Sequence, residues 1–142
     1  MKKITTHSYL ETEEFAQNFA KKVNPGDVIA LYGELGSGKT TFTKGLAKGL
    51  GITDRVTSPT FVLMKDYNLP SSNNSKLHHL DLYRLNSSDE IKSLDLNELV
   101  NQETNIFVIE WAQKANQEKL KDAIKVRFNI IDENTREITI DR

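Results

Sequence analysis

At 142 residues the chain has the length of one domain with a single sizeable core. Its 19 basic and 20 acidic residues leave a formal net charge of -1, which argues against affinity won by neutralising a nucleic-acid backbone. Cysteine is absent, which excludes disulfides, thiolate metal sites and a cysteine nucleophile.

The first residues, Met1-Lys2-Lys3-Ile4-Thr5, turn polar at once, and no stretch approaches the roughly 20 apolar residues of a membrane-crossing helix. The expectation is a cytoplasmic protein with no membrane contact. Leu10, Phe15, Phe19, Ala20 and Val23 recur at helical spacing, predicting a helix over 10–23 with Thr12 as its cap. Asn24-Pro25-Gly26-Asp27 reads as a turn, 28–32 as a buried strand, and 39–50 as a helix stopped by Gly51. Alternation suggests a strand over 56–67, entered through Ser58-Pro59, and a returning strand over 77–82 after a polar surface loop. A helix is expected over 88–99, with Ile91, Leu94 and Leu99 on one face. The run 106–109 is the most apolar strand, followed by a short helix near 113–121. Segments 124–131 and 137–140 flank Asp132-Glu133-Asn134 as a hairpin. Lys119, Lys121, Lys125 and Arg127 read as a solvated face.

Strands separated by helices and closed by a hairpin predict an α/β layered fold with a mixed sheet, in one domain spanning 1–142. Within it, Gly33-Glu34-Leu35-Gly36-Ser37-Gly38-Lys39-Thr40 satisfies G-x-x-x-x-G-K-[ST] at every fixed position. It also has the context the motif needs, an apolar strand before and an amphipathic helix after. Glycines let the backbone approach oxygens closely, and successive N–H groups with a helix N-terminus form an anion nest. Lys39 supplies a mobile cation for outer phosphates, and the Thr40 hydroxyl is a ligand for Mg²⁺.

Such a cradle needs a carboxylate at a strand end. Glu110 closes the apolar strand Ile106-Phe107-Val108-Ile109, and Asp81 closes the less apolar Leu77-His78-His79-Leu80. One could hold the metal while the other orients water, and the sequence leaves open which does which. His78 and His79, adjacent on a strand, point to opposite faces and are read as structural. No N-K-x-D guanine reader and no arginine-rich lid stands out, which lowers the GTPase and small-molecule kinase readings.

The ordered set 33-GELGSGKTTFTKG-45, 58-SPTFVL-63, 79-HLDLYRL-85 and 110-EW-111 resembles the TsaE family, small bacterial P-loop ATPases of tRNA threonylcarbamoyladenosine formation. The resemblance runs from about Thr12 to Trp111, with the Arg136-Glu137-Ile138-Thr139 hairpin also fitting. It implies a P-loop NTPase-like three-layer α/β fold with a mixed, mainly parallel sheet and a C-terminal β-hairpin. It further implies an ATPase, weak alone, that works with TsaD and TsaB to place threonylcarbamoyl on adenosine 37 of tRNAs reading codons that begin with adenine. The cofactors implied are ATP and Mg²⁺; tRNA is reached through the complex, and the isolated chain is expected to be monomeric. Glu34, Leu35, Gly36, Ser37, Gly38, Lys39, Thr40 and Thr41 would hold the phosphates. Thr12 and Arg136 would lie at the base end, while Thr40, Glu110 and Asp81 would form the metal site. Lys39, Asp81, Glu110 and Thr60, the last in a switch-like segment, would be catalytic. Trp111 is either core filler or a partner-facing anchor, and Arg84 either reaches the phosphates or braces Asp81. A small-molecule phosphotransferase is the alternative reading.

Overall fold

In the run Val28-Ile29-Ala30-Leu31-Tyr32, alternate side chains feed two different apolar clusters, so both sides of this strand are covered. The computed structural model describes residues 1–71, 74–86 and 103–142. Its strands are β1 (Lys2–Thr6), β2 (Val28–Tyr32), β3 (Met64–Asn68), β4 (Lys76–Asp81), β5 (Ile106–Glu110), β6 (Ile124–Ile130) and β7 (Arg136–Asp141). They form one sheet in the order β1-β7-β6-β2-β5-β4-β3. Strands β6, β2, β5 and β4 are parallel neighbours, whereas β3 and the β7–β1 edge pair antiparallel. The mixed, mainly parallel sheet and the closing β6–β7 hairpin agree with the sequence expectation. No described helix is long and apolar enough to cross a membrane.

Helices α1 (Tyr9–Phe19) and α2 (Lys39–Gly49) lie together on one sheet face. Phe42 is wholly buried there, with ring centroids 5.7 Å from Phe19 and 5.5 Å, edge-on, from Phe128. Their closeness depends on Gly45 and Gly49, one turn apart on α2. A Cβ at Gly45 would sit 2.1 Å from the Glu13 carbonyl oxygen, and one at Gly49 would sit 2.3 Å from that of Gln17. The opposite face buries Ala30, Leu80, Phe107 and Ile109 under two 3₁₀ turns, Ala112–Lys114 and Gln117–Leu120.

Several elements differ from the sequence reading. The cap of α1 is Ser8, whose Oγ accepts from the Glu11 N–H at 3.1 Å; Thr12 lies inside the first turns, buried, with its hydroxyl 2.7 Å from that of Thr6. Helix α1 then tightens into a 3₁₀ turn at Ala20–Lys22. The strand expected over 56–67 starts only at Met64, because residues up to Leu63 turn back on Pro59: the Leu63 N–H donates to the Pro59 carbonyl at 2.7 Å and Leu63 has φ 72°. The helix expected near 113–121 is the pair of 3₁₀ turns. Strand β1, unforeseen, is held by its antiparallel register with β7. The helix expected over 88–99 lies outside the described residues.

Candidate functional site

The loop at 33–38 leaves the end of β2 and feeds α2 directly. Gly36 and Gly38 have φ of 78° and 108°, left-handed values that a side chain at either position would resist. Gly38 is also the N-cap of α2, so its backbone opens the helix toward the sheet's carboxyl edge. Ser37, within the loop, is fully buried.

Lys39, the first residue of α2, folds back under the loop. Its ammonium donates to the Gly33 carbonyl at 2.7 Å, the Glu34 carbonyl at 2.8 Å and Ser37 Oγ at 3.3 Å. It also stands 4.3 Å from the centre of the Trp111 ring, a cation–π distance. Burial holds its pKa below the usual lysine value, against the pull of the nearby charges of Glu110, Asp81 and Glu34.

Strands β4 and β5 bring the two carboxylates together. Their parallel register pairs Asp81 with Glu110 at the sheet edge facing the loop, and both are almost wholly buried. Thr40 Oγ1 lies 2.9 Å from Glu110 Oε1 and 3.2 Å from Oε2 as a donor. Asp81 belongs instead to the 58–60 segment: Thr60 Oγ1 donates to its Oδ2 at 2.8 Å, with Ser58 Oγ at 3.4 Å. The other oxygen, Oδ1, accepts from the Tyr83 N–H at 2.9 Å. A cavity of about 300 Å³ joins Lys39, Thr40, Thr60, Asp81, Glu110 and Trp111. A larger recess, about 630 Å³, opens toward Lys48 and Arg55. It contains neither carboxylate, so chemistry rather than size marks the site.

Thr12 and Arg136, more than a hundred positions apart in sequence, meet at a recess of about 150 Å³ that shares Gly36, Gly38 and Thr41 with the main cavity. Arg136 is anchored rather than free: its guanidinium donates to the Gly36 carbonyl at 3.0 Å and to the Asp132 carbonyl at 2.7 Å. The Glu34 and Leu35 side chains are exposed; Leu35 lines the main cavity, while Glu34 participates through its carbonyl. The Arg84 guanidinium lies 4.1 Å from the centre of the Phe61 ring, and among the described residues no hydrogen bond joins it to the phosphate loop or to Asp81. Trp111 is partly exposed, has left-handed φ 58°, and packs on Tyr83 at 5.1 Å and over Lys39. His78 stacks on Phe107 and approaches Asp66, whereas His79 lies on the other face, Nε2 2.5 Å from Glu110 Oε2. Sequence reasoning missed this last contact. The signal was present, because His79 and Asp81, two apart on a strand, share a face.

The donor set suits a hard cation: a hydroxyl and two carboxylates fit Mg²⁺, which takes one or two carboxylates and completes its shell with water and phosphate oxygens. Among the described residues no cluster of three or more His, Cys, Asp and Glu could hold a metal by itself.

A strand–glycine-loop–helix cradle opposed by two strand-end carboxylates in a mixed α/β sheet defines a P-loop fold. The chain belongs to the TsaE family: the family model described as "Threonylcarbamoyl adenosine biosynthesis protein TsaE" matches residues 6–138. A Bacillus subtilis (strain 168) relative named tRNA threonylcarbamoyladenosine biosynthesis protein TsaE is 40% identical over 132 residues, covering 91% of this chain and 78% of its own. One of the same name from Treponema pallidum (strain Nichols) is 33% identical over 138 residues, covering 97% and 98%. The crystal structure of YdiB from Bacillus subtilis superposes with a TM-score of 0.74 at 33% identity, over 98% of this chain and 83% of that one.

Proposed function

We propose that this chain is the ATP-binding and ATP-hydrolysing subunit of a cytoplasmic machinery that forms threonylcarbamoyladenosine at position 37 of tRNAs reading codons that begin with adenine. It acts with TsaD and TsaB, is monomeric in isolation, and meets tRNA through that complex. The observation that carries the reading is the pairing of Asp81 with Glu110 directly across from Lys39 and Thr40. The names of the relatives support the tRNA role, and the near-neutral charge supports leaving tRNA mainly to the partners.

In this reading the loop N–H groups from Gly36 to Thr41 cradle the phosphates, and Lys39 contacts the outer ones. Thr12 and Arg136 border the recess for the base. Thr40 and Glu110 hold Mg²⁺, with Asp81 at the same centre; the chemistry it supplies is neutralisation of charge on the phosphate oxygens. Of the two carboxylates, we assign the orientation of water to Asp81; its tie to Thr60 in the 58–60 segment supports that choice. The Thr60 hydroxyl couples that segment to the same carboxylate, which is what a switch sensing the terminal phosphate requires.

The test is turnover of γ-labelled ATP by the chain alone and with TsaB and TsaD, with the label followed. Release as free phosphate, stimulated by the partners and cut about 10²-fold or more by Asp81→Asn, is expected. No turnover even with both partners defeats the reading, and label on a small metabolite replaces it with a phosphotransferase.

A further inference from the structure

His79 sits on β4 with no exposed surface, one strand away from the carboxylate at the end of β5. On this face of β4 the preceding residue, Leu77, fills its space with an apolar side chain. An imidazole there is costly. Its Nδ1 is buried without a hydrogen-bond partner among the described residues, and a polar atom left so is disfavoured.

The ring's one polar engagement is Nε2, 2.5 Å from Glu110 Oε2. That contact fixes the tautomer. With hydrogen on Nε2 the ring donates to the carboxylate and leaves only a lone pair at the orphaned Nδ1. The reverse tautomer would bury an unpartnered N–H and set a lone pair against a carboxylate oxygen. Glu110 is thereby gripped from two sides, by Thr40 Oγ1 at 2.9 Å from Oε1 and by His79 at Oε2. A glutamate held only by Thr40 could rotate its carboxylate away from the loop; the second donor removes that freedom. His79 is in direct register with Val108, so its reach to Glu110 runs two residues along the neighbouring strand rather than straight across.

We infer that His79 is a positioning residue, which sets the Glu110 carboxylate against Thr40 and so determines how readily the site takes Mg²⁺ with nucleotide. The inference rests on the nucleotide and Mg²⁺ reading above. Partners that orient a metal-site ligand typically contribute about 10–100-fold in metal affinity.

His79→Asn and His79→Gln separate this from a packing role. Both bury an amide, but only glutamine carries its N–H₂ as far along the side chain as Nε2. Binding of the non-hydrolysable analogue β,γ-imido-ATP is measured by calorimetry without Mg²⁺ and across an MgCl₂ series. In His79→Asn the half-saturating Mg²⁺ rises about 10–100-fold while Mg²⁺-free affinity stays at the wild-type value, and His79→Gln restores the wild-type requirement. A wild-type Mg²⁺ requirement in His79→Asn, whatever its melting temperature, overturns the inference; so does equal impairment in both variants. Should His79→Asn not fold, His79→Leu, which buries no amide, takes its place with the same two readings. A wild-type chain whose analogue binding ignores Mg²⁺ altogether defeats the nucleotide–metal reading itself and this inference with it.

Discussion

Gly45→Ala sets two physical effects against each other, and the geometry decides the sign. Helix propensity alone favours alanine over glycine by about 1 kcal/mol. Yet the new Cβ would stand 2.1 Å from the Glu13 carbonyl oxygen and 2.9 Å from the Ala16 Cβ, both on α1. A tolerable carbon–oxygen separation is about 3.3 Å, so the helices must part by roughly 1 Å. The nearest atom is backbone, so no side-chain rotation relieves it. A gap of about 0.5–1 Å forfeits a quarter to a half of each dispersion contact, and α1 and α2 share the Phe15, Phe19 and Phe42 ring cluster. Overpacking of this kind costs about 3 kcal/mol at the upper end of its usual range, leaving a net loss of about 2 kcal/mol after the propensity gain. For a chain this long that lowers Tm by about 4–8 °C. Gly49→Ala, which meets the Gln17 carbonyl at 2.3 Å, should do the same. Urea denaturation monitored by circular dichroism, with the slope held constant, reads the change directly. A Gly45→Ala protein as stable as wild type, or more so, refutes the close approach of α1 to α2.

Lys39→Met should separate function from stability. It keeps the apolar stem but removes a cation that burial disfavours, so Tm should hold or rise, while nucleotide affinity falls about 10–100-fold with the loss of a charged contact; a clear drop in Tm would count against that balance. Thr12→Val leaves the buried Thr6 hydroxyl unpaired and should cost about 1–2 kcal/mol, whereas the double change with Thr6→Val should recover part of it in urea melts; strict additivity would refute the pair. Asp132 has its pKa lowered, chiefly by the Thr135 side chain and then by the Asn134 N–H. A depressed carboxylate contributes stability above its unfolded value, near 3.8, and loses it as pH falls through the folded value. Asp132→Asn should therefore be less stable than wild type at neutral pH and converge with it in acid; a difference independent of pH would exclude the charge as its cause.

What could be read in advance was whatever is local. The 33–40 loop is legible because its fixed residues answer to one backbone path, and β2 and β5 because their apolar runs exceed what a surface would tolerate. The start of α1 lies at Ser8, four residues before the Thr12 that the apolar spacing suggests. Ser8-x-x-Glu11 was the better signal, with Glu11 reaching back to the His7 N–H at 2.5 Å. Strand β1 carries little pattern of its own, since Lys2-Lys3-Ile4-Thr5-Thr6 is extended only by pairing with β7 at the far end of the chain. The alternation over 56–63 imitated a strand, but Phe61 and Val62 are exposed and the segment bends around Pro59. The meeting of Thr12 with Arg136, and of His79 with Glu110, is a product of packing and register. Only the shared strand face of His79 and Asp81 hinted at the second.

Three side chains assigned to the phosphates, the metal or the switch segment, those of Lys39, Thr40 and Thr60, already have partners within the protein. Lys39 uses its three donors on Gly33, Glu34 and Ser37; Thr40 gives its hydroxyl to Glu110, and Thr60 gives its own to Asp81. A nucleotide that recruits them must exchange these bonds rather than add to them, and an exchanged hydrogen bond returns about 1 kcal/mol rather than its full strength. The three exchanges are not independent. Moving Thr40 leaves Glu110 held by His79 alone, and its paired residue Asp81 holds the 58–60 segment through Thr60. Under the proposed function, the terminal phosphate and the metal would therefore act on one connected set of hydroxyls and carboxylates. Under the proposed function, nucleotide affinity and the position of the 58–60 segment would be coupled through the Thr60–Asp81 bond.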